Sequence, residues 1–108
     1  MSAMSRTKGR KWQTAVRQWL ELAGLTVVES GGAGIESGDL LILSPLVAVE
    51  AKNQQRMDLA GWVDQATRQA PKGAIPVVVH HRAGRASVAD GYVTMSGAAF
   101  LDLIGDVT

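Results

Sequence analysis

The chain has 108 residues, 46% of them hydrophobic and 19% charged, which is the size and composition of one globular domain. It contains no cysteine, which excludes disulfides and zinc–thiolate sites, and its longest apolar runs are too short to cross a bilayer. The formal net charge is +1, but five bases precede the first acid, Glu21, which leaves six bases against ten acids in the remainder. No secretory signal is visible, so we expect a soluble intracellular domain.

The first half of the chain predicts one helix and then three strands. Apolar residues at helical spacing predict a helix over Lys11–Ala23, which Gly24 ends. The stretch from Ser30 to Gly38 contains four glycines and predicts a loop. Runs rich in β-branched residues predict three strands, the last two joined in a hairpin by Ser44-Pro45. These strands are Leu25–Glu29, Asp39–Leu43 and Leu46–Lys52.

The second half predicts a helix, two strands and a closing helix. Asp58 can cap a helix that runs to about Ala70. The apolar run Ile75–His80 is typical of a buried central strand. Gly91–Met95 predicts the last strand, and Ser96 can cap a helix that ends near Ile104. The order α-β-β-β-α-β-β-α predicts a single α/β domain.

Charged residues end the third strand in an informative pattern. Because alternate side chains of a strand share a face, Val49 and Ala51 point one way while Glu50 and Lys52 point the other. Hairpin folding brings Asp39 to the level of Glu50. Two carboxylates and a lysine at one sheet edge suit a Mg²⁺ site for phosphodiester hydrolysis. The alternative is a structural ion pair at the end of a strand.

These residues and the order of the elements resemble the PD-(D/E)XK nuclease superfamily. Gly38-Asp39 stands eleven residues before Glu50-Ala51-Lys52, with glycine in place of the motif's first proline. Within the superfamily, the chain is most similar to Holliday junction resolvases of the archaeal type and their small relatives in phages of actinobacteria. The similarity is carried by the segments Lys8–Lys11, Ser30–Gly34, Val49–Asn53, Arg56–Ala66 and Tyr92–Met95.

The resemblance implies a restriction-endonuclease-like αβββαβ core with a mixed central sheet flanked by helices. One nuclease domain would cover residues 1–108, with residues 1–8 as a flexible basic arm. The implied activity is Mg²⁺-dependent endonucleolytic cleavage of four-way DNA junctions, with Mn²⁺ as a substitute and no nucleotide cofactor. Symmetric cutting of two strands implies a homodimer with twofold symmetry. The implied location is the cytoplasm, that of the bacterial host if a phage encodes the chain, with no membrane partner.

The resemblance also assigns roles to individual residues. Asp39, Glu50 and the backbone carbonyl of Ala51 would hold the metal, and Lys52 would serve the attacking water. Gln65 falls where the superfamily often has a polar residue that faces the site. The serine that resolvases use near the scissile phosphate corresponds to Ser30 or to Ser37.

One position departs from the family pattern, because relatives place a glutamate where this chain has Gln13. A glutamine oxygen can hold a metal-bound water but brings no negative charge. Glu36 or Glu21 could replace it as the third ligand, with Glu36 favoured because it is close to Asp39 in sequence. Two alternatives therefore stay open: a non-cleaving or weakly active DNA-binding protein of the same fold, or a nuclease that acts on flaps or nicked duplex.

The remaining candidates are basic and aromatic residues. We expect phosphate contacts from the bases Arg6, Lys8, Arg10, Lys11 and Arg56, although a solvated helix face is the alternative. The three tryptophans, Trp12, Trp19 and Trp62, are predicted to be core rather than base-stacking residues. His80 and His81 are adjacent in a strand and should point to opposite faces, so they cannot share one ion. Arg82 and Arg85 in the predicted hairpin loop are either solvated or in contact with phosphates.

Overall fold

The computed structural model of the chain describes residues 3–29 and 39–107. These residues form a mixed α/β fold with three α-helices, a five-stranded mixed sheet and a 3₁₀ turn at Val88–Asp90. The helices are α1 (Ala3–Leu22), α2 (Leu59–Gln69) and α3 (Gly97–Val107). The strands are β1 (Val27–Glu29), β2 (Asp39–Leu43), β3 (Leu46–Lys52), β4 (Ile75–His80) and β5 (Tyr92–Thr94).

The strands lie in the sheet in their order along the chain, β1-β2-β3-β4-β5. The pairs β1–β2, β2–β3 and β4–β5 are antiparallel, and only β3–β4 is parallel. The predicted hairpin is confirmed, since Leu43 pairs with Leu46 across the turn at residues 44–45. A parallel pair needs a crossover connection, and α2 supplies it between β3 and β4. The crossover places the ends of β3 and β4 side by side.

Helices cover both faces of the sheet. On one face, α1 and α3 bury the larger core, in which Trp12, Val16 and Ala99 pack with Val49 and Val79. On the other face, α2 packs Trp62 and Ala66 against Val78. The strand β3 contributes Val47 and Val49 to the α1 face, so its alternate residues Glu50 and Lys52 belong to the α2 face.

The N-terminal helix differs from its prediction. It begins at Ala3 rather than Lys11, so the residues predicted as a flexible arm are helical from Ala3 onward. Segment 3–10 is polar and has no apolar period, but its alanine, methionine, lysine and arginine residues favour helix. Periodicity alone could therefore not detect it.

The prediction that Trp19 is a core residue is wrong, whereas Trp12 and Trp62 are buried as predicted. Trp19 keeps 40% of its surface exposed. The buried residues of α1 follow the i, i+4 line of Trp12, Val16 and Leu20, and Trp19 lies to one side of that line. No helix within the described residues combines the length and the apolar character that crossing a membrane requires.

Candidate active site

Two adjacent rows of residues cross the α2 face of the sheet. The first row runs through register partners on four strands: Asp39 on β2, Glu50 on β3, Val78 on β4 and Thr94 on β5. The second row runs through Lys52 on β3, His80 on β4 and Tyr92 on β5. Both rows lie at the carboxyl ends of β3 and β4. The sheet register therefore gathers three of the predicted chemical groups, Asp39, Glu50 and Lys52, at one end of these strands.

The ion pair between Glu50 and Lys52 is the centre of this arrangement. The Lys52 Nζ lies 3.4 Å from the Glu50 Oε1, and the two side chains keep only 15% and 12% of their surface exposed. Residues two apart in a strand share a face, and the predicted alternation of β3 is confirmed. Desolvating two charges is unfavourable unless each is paired and hydrogen-bonded. The pair therefore needs further polar partners at this edge.

Gln65 supplies one such partner from α2. The Lys52 Nζ donates a hydrogen bond to the Gln65 Oε1 at 3.2 Å. The start of α2 is set by Asp58, whose carboxylate accepts the Gly61 amide at 3.1 Å, which confirms the predicted cap. Lysine has three N–H donors, so Glu50 and Gln65 occupy two of them. Among the described side chains, these two groups hold the ammonium in place.

Asp39 is placed by the backbone register. It is the partner of Glu50 in the antiparallel β2–β3 pair. Residues that face each other in such a pair have Cα atoms roughly 4.5–5.5 Å apart and belong to the same face of the sheet. The predicted approach of Asp39 to the level of Glu50 is confirmed at the level of the backbone.

The backbone of β3 brings a third oxygen to this place. The Lys52 carbonyl accepts the His81 amide at 3.0 Å, so the peptide groups of Lys52 face β4. Because successive peptide groups of a strand face opposite neighbours, the carbonyl of Ala51 is directed toward β2. The Ala51 carbonyl therefore lies on the side of β3 that borders β2, the strand of Asp39. Two carboxylates and one carbonyl are the oxygen donors that a hard divalent cation takes.

Of the other predicted ligands, Gln13 and Glu21 are not brought to this group. Gln13 is half-buried on α1, which packs on the opposite face of β3, and within the described residues it has no hydrogen bond to Glu50 or Lys52. Glu21 is exposed and lies 3.9 Å from Arg17, which also binds Glu29 on β1 at 3.0 Å. The other three candidates, Ser30, Glu36 and Ser37, lie outside the described residues. Among the described side chains, no group of three His, Cys, Asp or Glu residues is arranged to hold a metal.

The predicted DNA-binding residues whose side chains are described are exposed. These are Lys8, Arg10, Lys11 and Arg56. Arg6 lies in α1, and its side chain is outside the described set. The indole of Trp12 binds the Val79 carbonyl near the carboxyl end of β4, on the face of the sheet opposite Lys52. None of the four exposed bases forms an ion pair with a described residue.

His80 is the residue that sequence reasoning did not place in the site. It is 3% exposed, and its Nε2 lies 2.7 Å from the Thr94 Oγ1. Its ring contacts Trp62 at 5.3 Å and Tyr92 at 5.5 Å between centroids. Burial lowers the pKa of the His80 imidazole below its ordinary value, so the ring is neutral at pH 7. The sequence signal was the histidine at the end of a buried strand, but the register that sets it beside Lys52 is not readable from the chain.

The neighbouring His81 belongs to the other face. Its ring meets Trp12 edge-on, with centroids 5.0 Å apart, so the prediction that the two histidines point to opposite faces is confirmed.

Comparison with known proteins adds no relative to this description. No protein-family model, no curated protein and no solved structure matches the chain.

Proposed function

We propose that this chain is a Mg²⁺-dependent endonuclease that hydrolyses phosphodiester bonds of branched DNA, with the four-way junction as its substrate. The observation that carries the proposal is the largely buried pair of Glu50 and Lys52, with Asp39 at the register position opposite Glu50. A pair of acids with an adjacent lysine is suited to a reaction in which negative charge develops on a phosphate.

The order of the elements supports a restriction-endonuclease-like core for this proposal. The sequence of α1, the antiparallel strands β1 to β3, the crossover α2 and the parallel strand β4 follows the αβββαβ order expected from the resemblance. Such a core carries its acids and lysine on the second and third strands. Those are the strands on which Asp39, Glu50 and Lys52 lie.

The donor set fits a hard divalent cation. Asp39, Glu50 and the carbonyl of Ala51 would hold it, and the Lys52 contact is made at the Oε1 of Glu50, one of its two carboxylate oxygens. When bound, Mg²⁺ or Mn²⁺ supplies a Lewis acid that neutralises charge on the phosphate and makes a water molecule more acidic.

Lys52 acts on the attacking water and on the phosphate oxygens. Its ammonium is oriented by Glu50 and Gln65 among the described side chains, and lysine carries a third N–H donor beyond these two contacts. A compact, oriented positive charge stabilises the negative charge that builds up during displacement at phosphorus. Gln65 is a positioning residue in this scheme, because it acts through Lys52.

Symmetric cutting of a junction requires two copies of the site, so we place the chain in a homodimer. The helix α3 carries three exposed apolar side chains within one arc, Phe100 at 50%, Leu101 at 70% and Ile104 at 40% exposure. This helix covers the face of the sheet opposite Glu50 and Lys52. A second copy seated on α3 would leave both sites open to DNA, and Leu101→Glu should dissociate the dimer in sedimentation experiments.

A second candidate function is DNA binding without cleavage. The observation that favours it is Gln13, which brings no charge to the position where the resolvase family that the sequence resembles has a glutamate and which lies on a helix at the opposite face from Lys52. Under this alternative, junctions bind without metal and no cut product forms. A change of substrate to flaps or nicked duplex is the third possibility, and it keeps the same chemistry.

The deciding experiment incubates the protein with a labelled four-way junction, a flap, a nicked duplex and a linear duplex. Each substrate is tested with Mg²⁺, Mn²⁺ and EDTA. The variant Lys52→Met removes the ammonium group, and Lys72→Met, an exposed lysine after α2, removes the same charge away from the site. We expect paired cuts in the junction alone with wild type and Lys72→Met, and no cuts with EDTA or Lys52→Met.

Each other result has a definite meaning. Tight junction binding with no product in either metal favours the non-cleaving protein, and Gln13→Glu is then the next variant. Cuts in flaps or nicked duplex but not in junctions keep the chemistry and change the substrate. Cutting by Lys52→Met at the wild-type rate contradicts the role given to Lys52.

A further inference from the structure

Arg82 is held by an aromatic ring rather than by a carboxylate. The central carbon of its guanidinium lies 5.7 Å from the centroid of the Tyr92 ring, which is a cation–π contact. Among the described residues, no acid forms an ion pair with Arg82. Arg85, three residues later in the same exposed loop, lies instead 3.9 Å from Asp90. The charge of Arg82 is therefore oriented without being neutralised.

The ring that orients Arg82 has firm support. Tyr92 is 43% exposed, but it rests against His80, which is buried. His80 is in turn fixed by the hydroxyl of Thr94 and by the ring of Trp62. Tyr92 thus ends a chain of packed rings that starts at α2. An arginine on such a support loses little side-chain freedom when its planar guanidinium binds an anion.

The second row of the site places Tyr92, and with it the Arg82 guanidinium, relative to Lys52. Lys52, His80 and Tyr92 are consecutive register partners across three strands. Neighbouring strands are about 4.8 Å apart, so the Cα atoms of Lys52 and Tyr92 are separated by about 10 Å. One DNA strand advances about 3.4 Å per nucleotide along the helix axis, so this span corresponds to about three nucleotides.

We propose that Arg82, oriented by Tyr92, binds a phosphate of the DNA strand that is cut, within about three nucleotides of the scissile bond. The inference rests on the proposed nuclease function and adds to it a specific phosphate-binding residue outside the metal-binding and water-activating group. The guanidinium offers a fork of N–H donors that fits two phosphate oxygens. The competing explanation is that the contact with Tyr92 only secures the loop.

Arg85 provides the matched control for a binding experiment. Arg82→Ala and Arg85→Ala remove the same charge from the same loop, so long-range electrostatics change equally in both. Affinity for a four-way junction is measured with Ca²⁺ in place of Mg²⁺, so that cutting does not disturb binding. We expect Arg82→Ala to weaken binding roughly tenfold, and Arg85→Ala by less than about twofold.

Salt dependence and Tyr92 variants test the mechanism of the contact. Arg82→Ala should lower the slope of log affinity against log salt concentration by about one, because one phosphate contact is lost. Tyr92→Phe keeps the ring and should bind like wild type. Tyr92→Leu should weaken binding, and the double variant Tyr92→Leu with Arg82→Ala should bind no worse than Arg82→Ala alone.

The position of the phosphate is tested with junctions that carry one uncharged methylphosphonate at successive sites. One such substitution within about three nucleotides of the cut should weaken junction binding by the wild-type protein and should not weaken binding by Arg82→Ala any further. Equal effects of Arg82→Ala and Arg85→Ala, with unchanged thermal midpoints, overturn the inference but leave cleavage by wild type intact. A wild-type protein that neither binds nor cuts branched DNA overturns both the inference and the proposed function.

Discussion

Trp12 on α1 donates its indole Nε1–H to the carbonyl oxygen of Val79 on β4 at 3.1 Å, across 67 positions of the chain. The indole is 4% exposed, and it joins the first helix to the strand that follows α2. The contact therefore ties the beginning of the chain to the edge of the sheet at which Lys52 lies. It does so with a single directional bond inside an apolar core.

Trp12→Phe should lower the free energy of unfolding by about 1–3 kcal/mol, because it removes the donor and leaves a smaller ring in the core. Urea denaturation followed by circular dichroism measures the loss. Trp19→Phe, on the same helix but 40% exposed, is the control and should change stability by less than about 0.5 kcal/mol. Equal losses would show that the buried hydrogen bond contributes nothing specific.

Metal binding can be tested without any substrate. A cation at ten times its dissociation constant should stabilise the fold by about 1.4 kcal/mol, because it binds only the folded state. Thermal unfolding with increasing Mg²⁺ or Mn²⁺ measures the shift. We expect Asp39→Asn and Glu50→Gln to abolish it, because each removes a carboxylate from the first row. The control is Glu29→Gln, which removes a β1 carboxylate that is paired with Arg17, and this variant should keep the shift. A shift that survives Glu50→Gln would place the cation elsewhere.

Lys52→Met should affect stability as well as the proposed cleavage. It leaves the carboxylate of Glu50, 12% exposed, without its counter-charge. Breaking a buried ion pair by removing one partner is strongly unfavourable, and partial exposure of this pair reduces the loss to roughly 1–3 kcal/mol. The double variant Lys52→Met with Glu50→Gln should recover part of the loss in urea denaturation. No recovery would mean that the two side chains are not energetically coupled.

His80 should make stability depend on pH. Its pKa is lowered in the fold by burial, whereas in the unfolded chain it takes up a proton near 6.5. Below that pH the unfolded state therefore binds more protons than the folded state. The contribution of His80 to the free energy of unfolding is fully present above about pH 6.5 and falls as the pH decreases below it. Urea denaturation between pH 7.5 and 5.5 should show this decline. His80→Asn should flatten it.

Gly91 should not tolerate a side chain. A Cβ atom there would lie 2.8 Å from the carbonyl oxygen of His80 and 3.1 Å from that of Val88, both of them backbone atoms. Gly91→Ala should therefore destabilise the fold by about 1–3 kcal/mol, because β5 must move away from β4. The control is Gly97→Ala at the start of α3, where a Cβ meets nothing within 4 Å. We expect the control to be neutral or slightly stabilising in thermal unfolding.

The sequence predicted most of the fold because local signals agreed with the tertiary structure. The alternation of β3, the Asp58 cap and the turn at Ser44-Pro45 are all local patterns, and each is confirmed. The cap of the last helix is confirmed as well, since the Ser96 Oγ accepts the Ala99 amide at 3.0 Å. Local patterns could not give the start of α1, whose first residues have no apolar period.

The site was predictable only in part, for a similar reason. Glu50 and Lys52 are near in sequence, and the hairpin brings Asp39 back to them, so short-range reasoning located all three. His80 and Tyr92 reach Lys52 through the parallel pairing of β3 with β4 and through β5. The offset of a parallel pair depends on how α2 packs between the strands, and no turn fixes it. That part of the edge could be found only in the folded chain.

The alternation of β3 has a consequence for how the chain reaches its native state. A displacement of β3 by one residue would drive Glu50 and Lys52 into the layer beneath α1 and turn Val49 and Ala51 outward. Two charges among Trp12, Val16 and Val79 would have no polar partner there. Misaligned forms of the sheet are therefore excluded by the same two side chains that we assign to chemistry. Replacing both by apolar residues would remove not only the groups of the proposed reaction but also the discrimination between right and wrong strand alignments during folding.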